Sequence, residues 1–168
     1  MRMHSRLALL AALLLVPGLA MAQPRPQKLG EFQSWTAASF VEGGQKTCYA
    51  FARPSKSDPA RQGVMLTVTH RQAARDTVTI SAGFNFPRNA DAAVAAGGTE
   101  LLFYTSGTTA AARDGAAAVR AFRNGKDAVM KAPGANGRGS VSDTFPLAGF
   151  GAAYDAISKE CPAAGGKR

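Results

Sequence analysis

Two cysteines, Cys48 and Cys161, stand far apart in a chain of 168 residues, behind an N-terminal segment with the pattern of an export signal. Arg2 and Arg6 precede or flank the start of an apolar run from Leu7 to Val16, Pro17-Gly18 breaks it, and Ala20-Met21-Ala22 supplies the small-x-small site that signal peptidase cuts. Cleavage after Ala22 starts the mature chain at Gln23. Export places both cysteines in an oxidising space, where an even count argues for a disulfide rather than two free thiols. Such a bridge closes most of the mature chain into one covalent loop, so the fold has to bring position 48 against position 161. No cysteine follows the cleavage site, so a lipoprotein anchor is not expected.

Residues 23–168 have the size of one domain that can bury a substantial core. The formal net charge of +9 loses the two signal arginines and no acid, which leaves a basic mature chain at +7. No apolar run after the signal approaches the roughly 20 residues of a membrane-spanning helix, so the expectation is a protein that is soluble or peripheral at a membrane. The charge favours anionic polymers as partners, by general attraction or at a dedicated site.

Residues 23–33, with Pro24, Pro26 and no apolar period, read as a flexible leader, residues 34–162 as one β-rich domain, and residues 163–168 as a flexible tail. The dominant period within the domain is two. Thr77 to Phe86 places Val78, Ile80, Ala82, Phe84 and Phe86 on one face and Thr77, Thr79, Ser81, Gly83 and Asn85 on the other. Ser34–Val41, Lys46–Arg53, Val64–Arg71, Thr99–Thr105, Lys126–Ala132 and Ser140–Phe145 fit the same template. Gly43-Gly44 marks a tight turn, Pro54 to Gly63 a polar loop, and Gly134 to Gly139 the connection of the last two strands. Sequential antiparallel neighbours are the simplest topology.

Two segments change period. Asp114 to Asn124 sets Ala118, Val119 and Phe122 at helical spacing, with Asp114 as N-cap and Gly125 as the stop. Leu147, Phe150, Ala153 or Tyr154, Ile157 and Cys161 form a longer helical stripe that ends in a cysteine. Cys48 shares a strand face with Ala50 and Ala52, small residues that let a helix approach. The sequence therefore predicts a mainly β, β-sandwich-like antiparallel domain of about six to eight strands, with a C-terminal helix packed on the sheet and stapled through Cys48 and Cys161. Trp35, on an alternating strand, is expected in the core.

Catalytic, metal-binding and cofactor-binding sets are not expected. His70 is the single histidine after the signal; it could serve a serine as general base, but the strained Gly-x-Ser-x-Gly turn is absent. Zinc needs clustered His and Cys, and a bridged Cys48–Cys161 leaves none. Gly-Ala-Asn-Gly-Arg-Gly at 134–139 lacks the phosphate-loop pattern, and Phe84 and Phe86 read as core rather than as stacking platforms, so no nucleic acid is expected. His70, Arg71 and Arg138 remain as candidate surface contacts, the last at a loop tip.

A set of short motifs in fixed order resembles the invasion-associated locus B family of exported bacterial proteins. It runs through Trp35-Thr36-Ala37, Cys48-Tyr49, Pro54-Ser55-Lys56-Ser57, Thr69-His70-Arg71, Gly83-Phe84-Asn85-Phe86, Leu102-Phe103-Tyr104-Thr105, Arg138-Gly139-Ser140 with Asp143-Thr144, and Leu147-x-Gly149-Phe150-x-x-Ala153 before Cys161. The chain departs from the family pattern at Ala110-Ala111-Ala112, where an aromatic residue is expected, and at Gln72, where proline is usual. The resemblance implies a periplasmic, surface-associated or secreted β-rich domain, linked in pathogenic members to invasion of host cells. Its motifs carry over as scaffold positions, with no catalytic set. The expected function is that of an exported, non-enzymatic protein whose basic surface meets an anionic envelope or host-surface polymer. The alternative is a periplasmic envelope-maintenance factor that binds another protein through an exposed strand edge.

Overall fold

A computed structural model describes residues 25–164. The export signal expected at residues 1–22 lies outside the described residues. The chain builds eleven strands and two helices: β1 Gln27–Phe32, β2 Trp35–Glu42, β3 Gln45–Ala52, β4 Lys56–Asp58, β5 Met65–Arg71, β6 Thr77–Ser81, β7 Asp91–Ala96, β8 Thr99–Ser106, β9 Thr109–Ala112, α1 Gly115–Asn124, β10 Asp127–Pro133, β11 Ser140–Pro146 and α2 Phe150–Glu160. All strands join one antiparallel sheet in the order β1-β2-β3-β5-β6-β9-β8-β7-β10-β11-β4. The sheet bends so that its halves face one another. Trp35 Nε1 on β2 donates to the Pro146 carbonyl on β11 at 3.0 Å, although those strands stand far apart in the sheet order. Arg61 spans the same gap, donating to the Ala82 carbonyl and to the buried Asp143 carboxylate. The result is sandwich-like, with alternate residues of both halves filling one core.

The tight turns follow from glycine. Gly43 and Gly44 both have positive φ (57° and 77°), as the two-residue β2–β3 hairpin requires. Gly97-Gly98 repeats the device between β7 and β8 with φ of 55° and 76°.

Several sequence expectations need correction. The leader is not flexible over its length, because β1 pairs with β2 from Gln27 to Phe32. The strand expected from Thr77 to Phe86 ends at Ser81. Gly83 turns the chain with φ of 74°, and Phe84 and Phe86 pack together in the following loop at 4.8 Å, with Arg61 over the Phe84 ring. Phe86 is buried, as expected, whereas Phe84 is only half-buried. Four strands, β1, β4, β7 and β9, bring the total above six to eight. They are short, polar or alanine-rich, and alanine carries little strand propensity. The departure at Ala110 to Ala112 is β9, where fully buried Ala110 lies opposite Ile80 and Thr105. Neighbours are sequential from β1 to β3, but β9 follows β6 and β10 pairs with β7.

α1 is as read, and α2 is found at Phe150–Glu160, so that Leu147 of the expected stripe precedes the helix and Cys161 caps its end. The Asp114 carboxylate accepts from the Ala117 backbone N–H at 2.9 Å, which caps α1. In α2, Phe150, Ala153 and Ile157 are buried, and the helix packs against β1, β2 and β3. Trp35 is fully buried, edge-on to Phe150 with centroids 4.9 Å apart. Cys48 and Cys161 form the disulfide, with Cα atoms 6.0 Å apart.

Candidate functional site

Strand alternation sets Ser39, Cys48 and His70 side by side on the inner face of the sheet, in direct register across β2, β3 and β5. Helical spacing does the matching work on α2. Tyr154, Ser158 and Cys161 are separated by four and three residues, so one stripe presents all three to the β3–β5 end of the sheet. A third element closes the group. After β5 the chain turns through Arg71 and Ala74, whose backbones bond each other, and Asp76 takes a left-handed φ of 53°.

These elements assemble a polar cluster beside the disulfide. His70 Nε2 lies 3.0 Å from Ser158 Oγ, the Asp76 backbone N–H donates to His70 Nδ1 at 3.3 Å, and the Tyr154 hydroxyl donates to Asp76 Oδ1 at 2.6 Å. The His70 ring meets Tyr154 edge-on at 5.1 Å, and Arg75 donates to the Cys161 carbonyl. His70 is fully buried. Burial lowers its pKa below the ordinary 6.5, helped by the Arg75 charge and opposed by Asp76. Burial also raises the Tyr154 pKa, together with its bond to Asp76.

Serine, histidine and aspartate thus meet, but with their roles reversed from those of a hydrolase. A backbone N–H can only donate, so it makes Nδ1 an acceptor and leaves the ring proton on Nε2, which donates to Ser158 Oγ. A general base needs a free lone pair toward the serine and a carboxylate receiving the proton on its other nitrogen. Here the Asp76 carboxylate stands 3.7 Å from Nδ1 and is engaged by Tyr154. The cluster fastens α2 and the β5–β6 turn to the sheet.

This burial corrects the expectation that His70 contacts a partner from the surface. Arg71, next along β5, points outward and is exposed. It borders a cleft of about 410 Å³ with Lys46, Gln72, Glu160 and Pro162. A second depression, of about 340 Å³, lies between Arg25, Phe40, Val41 and Lys46. Lys46 pairs with Glu160 at 2.6 Å across the rim. Arg138 is exposed as well, on the β10–β11 hairpin, remote in the sheet order from Arg71. The two arginines therefore belong to separate surfaces. Sequence reading missed Arg75, Asp76 and Ser158, because partners 78 to 88 residues apart have no local signature.

No curated protein matches the chain. The crystal structure of invasion associated protein B from Bartonella henselae shares the fold with a TM-score of 0.60 at 16% identity, over 83% of this chain and 97% of that one. The family model described as invasion associated locus B (IalB) protein matches residues 35–158. A match over that much of the chain, with a sheet, helix and disulfide in the places its motifs require, means that the protein belongs to the invasion associated locus B family.

Proposed function

We propose that the protein is an exported, non-enzymatic binding protein, periplasmic or secreted, whose basic end meets an anionic envelope or host-surface polymer. The observation that carries this reading is the disulfide-stapled end of the fold, where Arg25, Lys46 and Arg71 border two open depressions. A disulfide persists in an oxidising compartment, which agrees with the signal pattern. The mature charge of +7 adds a long-range attraction that salt screens. The reversed His70–Ser158 pair offers no base to a nucleophile, in keeping with a binding role. Immobilised mature protein should retain purified lipopolysaccharide at low salt and release it as salt rises, and Arg71→Ala with Arg25→Ala should weaken that retention. Retention indifferent to salt and to both substitutions would remove the reading.

A second reading is the envelope-maintenance factor that binds a protein. Its support is the pair of sheet edges, β1 and the three-residue β4, each with one side unpaired among the described residues. A salt-resistant protein partner lost when β1 is blocked by proline substitution would favour it.

A further inference from the structure

Both helices pack on the inner side of the fold, α2 through Trp35 and the disulfide and α1 through the Phe122–Phe150 contact. Among the described residues, no helix covers the outer face of β2, β3, β5 and β6. Its composition is unusual for a solvated sheet face. Phe40, Tyr49 and Phe51 form an aromatic stripe: Phe40 and Tyr49 meet edge-on at 6.0 Å, and Tyr49 and Phe51 lie nearly parallel at 6.1 Å. All three rings are partly exposed.

Register supplies the surroundings. One row across the sheet runs Phe40, Thr47, Arg71; the next runs Lys28, Ala38, Tyr49, Thr69, Thr77; the third runs Glu31, Thr36, Phe51, Thr67, Thr79. Phe51 is thus flanked by the partly exposed Thr36 and Thr67, whereas Thr47 and Thr69 are buried under the stripe. Arg71 ends the Phe40 row one strand beyond Thr47, and Arg53 lies two residues beyond Phe51. The acid in these rows, Glu31, is paired with Lys28.

Sugar rings present C–H bonds of slight positive charge, which match the negative face of an aromatic ring, and hydroxyls that exchange hydrogen bonds with threonine. Arg71 and Arg53 at the two ends of the stripe fit acidic groups spaced along a chain. We propose that this outer face is a docking platform for an anionic polysaccharide, whose sugar rings lie along Phe40, Tyr49 and Phe51 and whose acidic groups meet Arg71 and Arg53. The proposal rests on the reading that the protein binds anionic polymers, and names the surface and the ligand class. The platform adjoins the basic end, because Phe40 borders the depression that Arg25 and Lys46 share.

The test titrates disulfide-intact mature protein with heparin at several salt concentrations. Tyr49→Thr combined with Phe51→Thr, which keeps strand propensity, should weaken binding at fixed salt by about ten-fold or more, as loss of aromatic anchors does. The salt dependence should stay as in the wild type. Arg71→Ala should instead flatten the salt dependence. Thr67→Glu, which leaves every ring in place and sets a negative charge beside Phe51, should weaken binding too, and this holds if the double variant fails to fold. Wild-type affinity in the double variant and in Thr67→Glu would overturn the platform while charge-driven binding stands. Absence of heparin binding by the wild type at low salt would overturn both.

Discussion

The backbone N–H of Asp76 donates to Nδ1 of His70 at 3.3 Å, and that bond determines which ring nitrogen faces Ser158. It keeps the ring proton on Nε2, while burial and the Arg75 charge outweigh Asp76 in disfavouring a second proton on the ring.

The first prediction concerns pH. The folded-state pKa of His70 is depressed by burial, so the unfolded chain binds a proton more readily than the native one. Stability from this group is therefore complete above the unfolded pKa of about 6.5 and is lost as pH falls below it, at up to about 1.4 kcal/mol per pH unit. His70 is the single histidine among the described residues, which makes the effect separable. Urea midpoints should drop between pH 7.5 and pH 5.5 in the wild type. His70→Gln should be weaker at pH 7.5 by about 1–3 kcal/mol, the cost of disrupting a buried hydrogen-bonded group, yet flatter across the interval. Parallel pH profiles for the two proteins would contradict this account.

A second prediction sets helix propensity against close approach. Gly115 opens α1, and alanine there would ordinarily gain up to about 1 kcal/mol. A Cβ at Gly115, however, would lie 1.7 Å from the Asp76 carbonyl, a backbone atom that cannot swing aside. The clash outweighs the propensity, so Gly115→Ala should lower the melting temperature. It should also disturb the His70 titration, because the atom it strikes belongs to the turn that holds the imidazole. A more stable Gly115→Ala protein would show that α1 is free to shift.

Trp35 gives the third. Its full burial and its bond to the Pro146 carbonyl predict a blue-shifted native emission that moves to the red on unfolding. Trp35→Phe leaves the Pro146 carbonyl without that donor and removes ring volume, at a cost of about 1–3 kcal/mol. A native spectrum like that of free tryptophan would place the ring outside the core.

The contrast between what sequence reveals and what it hides runs along the size of the buried side chains. Trp35, Leu66, Ile80 and Phe145 announce their strands by strict alternation, and Phe150 to Ile157 announce α2 by helical spacing. In β7 the buried set is Ala92, Val94 and Ala96, which alternates correctly but without the bulk that marks a strand. Thr77 to Phe86 fails in the opposite direction. Its period of two continues past Ser81, yet a Cβ at Gly83 would sit 2.2 Å from the Gln62 carbonyl, so tertiary contact bends the segment away from the sheet. The polar cluster was half legible: His70 and the Tyr154 stripe were visible, while their convergence depends on the turn at Asp76. The disulfide was legible because chemistry, compartment and helix phase all pointed to it.

The last prediction tests that disulfide. Bridging Cys48 to Cys161 closes a separation of 113 residues, for which the chain-entropy argument gives a ceiling of about 4–5 kcal/mol. The bridge also holds the last turn of α2 over β3, next to Ser158 and the Arg75 bond to the Cys161 carbonyl. Cys161→Ser should therefore do two separable things. It should lower thermal stability by an amount up to that ceiling, and it should raise amide exchange at the C-terminal end of α2, while the amides of β2 and β3 keep their protection relative to global unfolding. Protein prepared from an oxidising compartment should run as a compact monomer on non-reducing gels and resist maleimide. Two maleimide-reactive thiols in that preparation would mean that the helix is held by packing and the His70 cluster alone, and the exchange difference should then vanish.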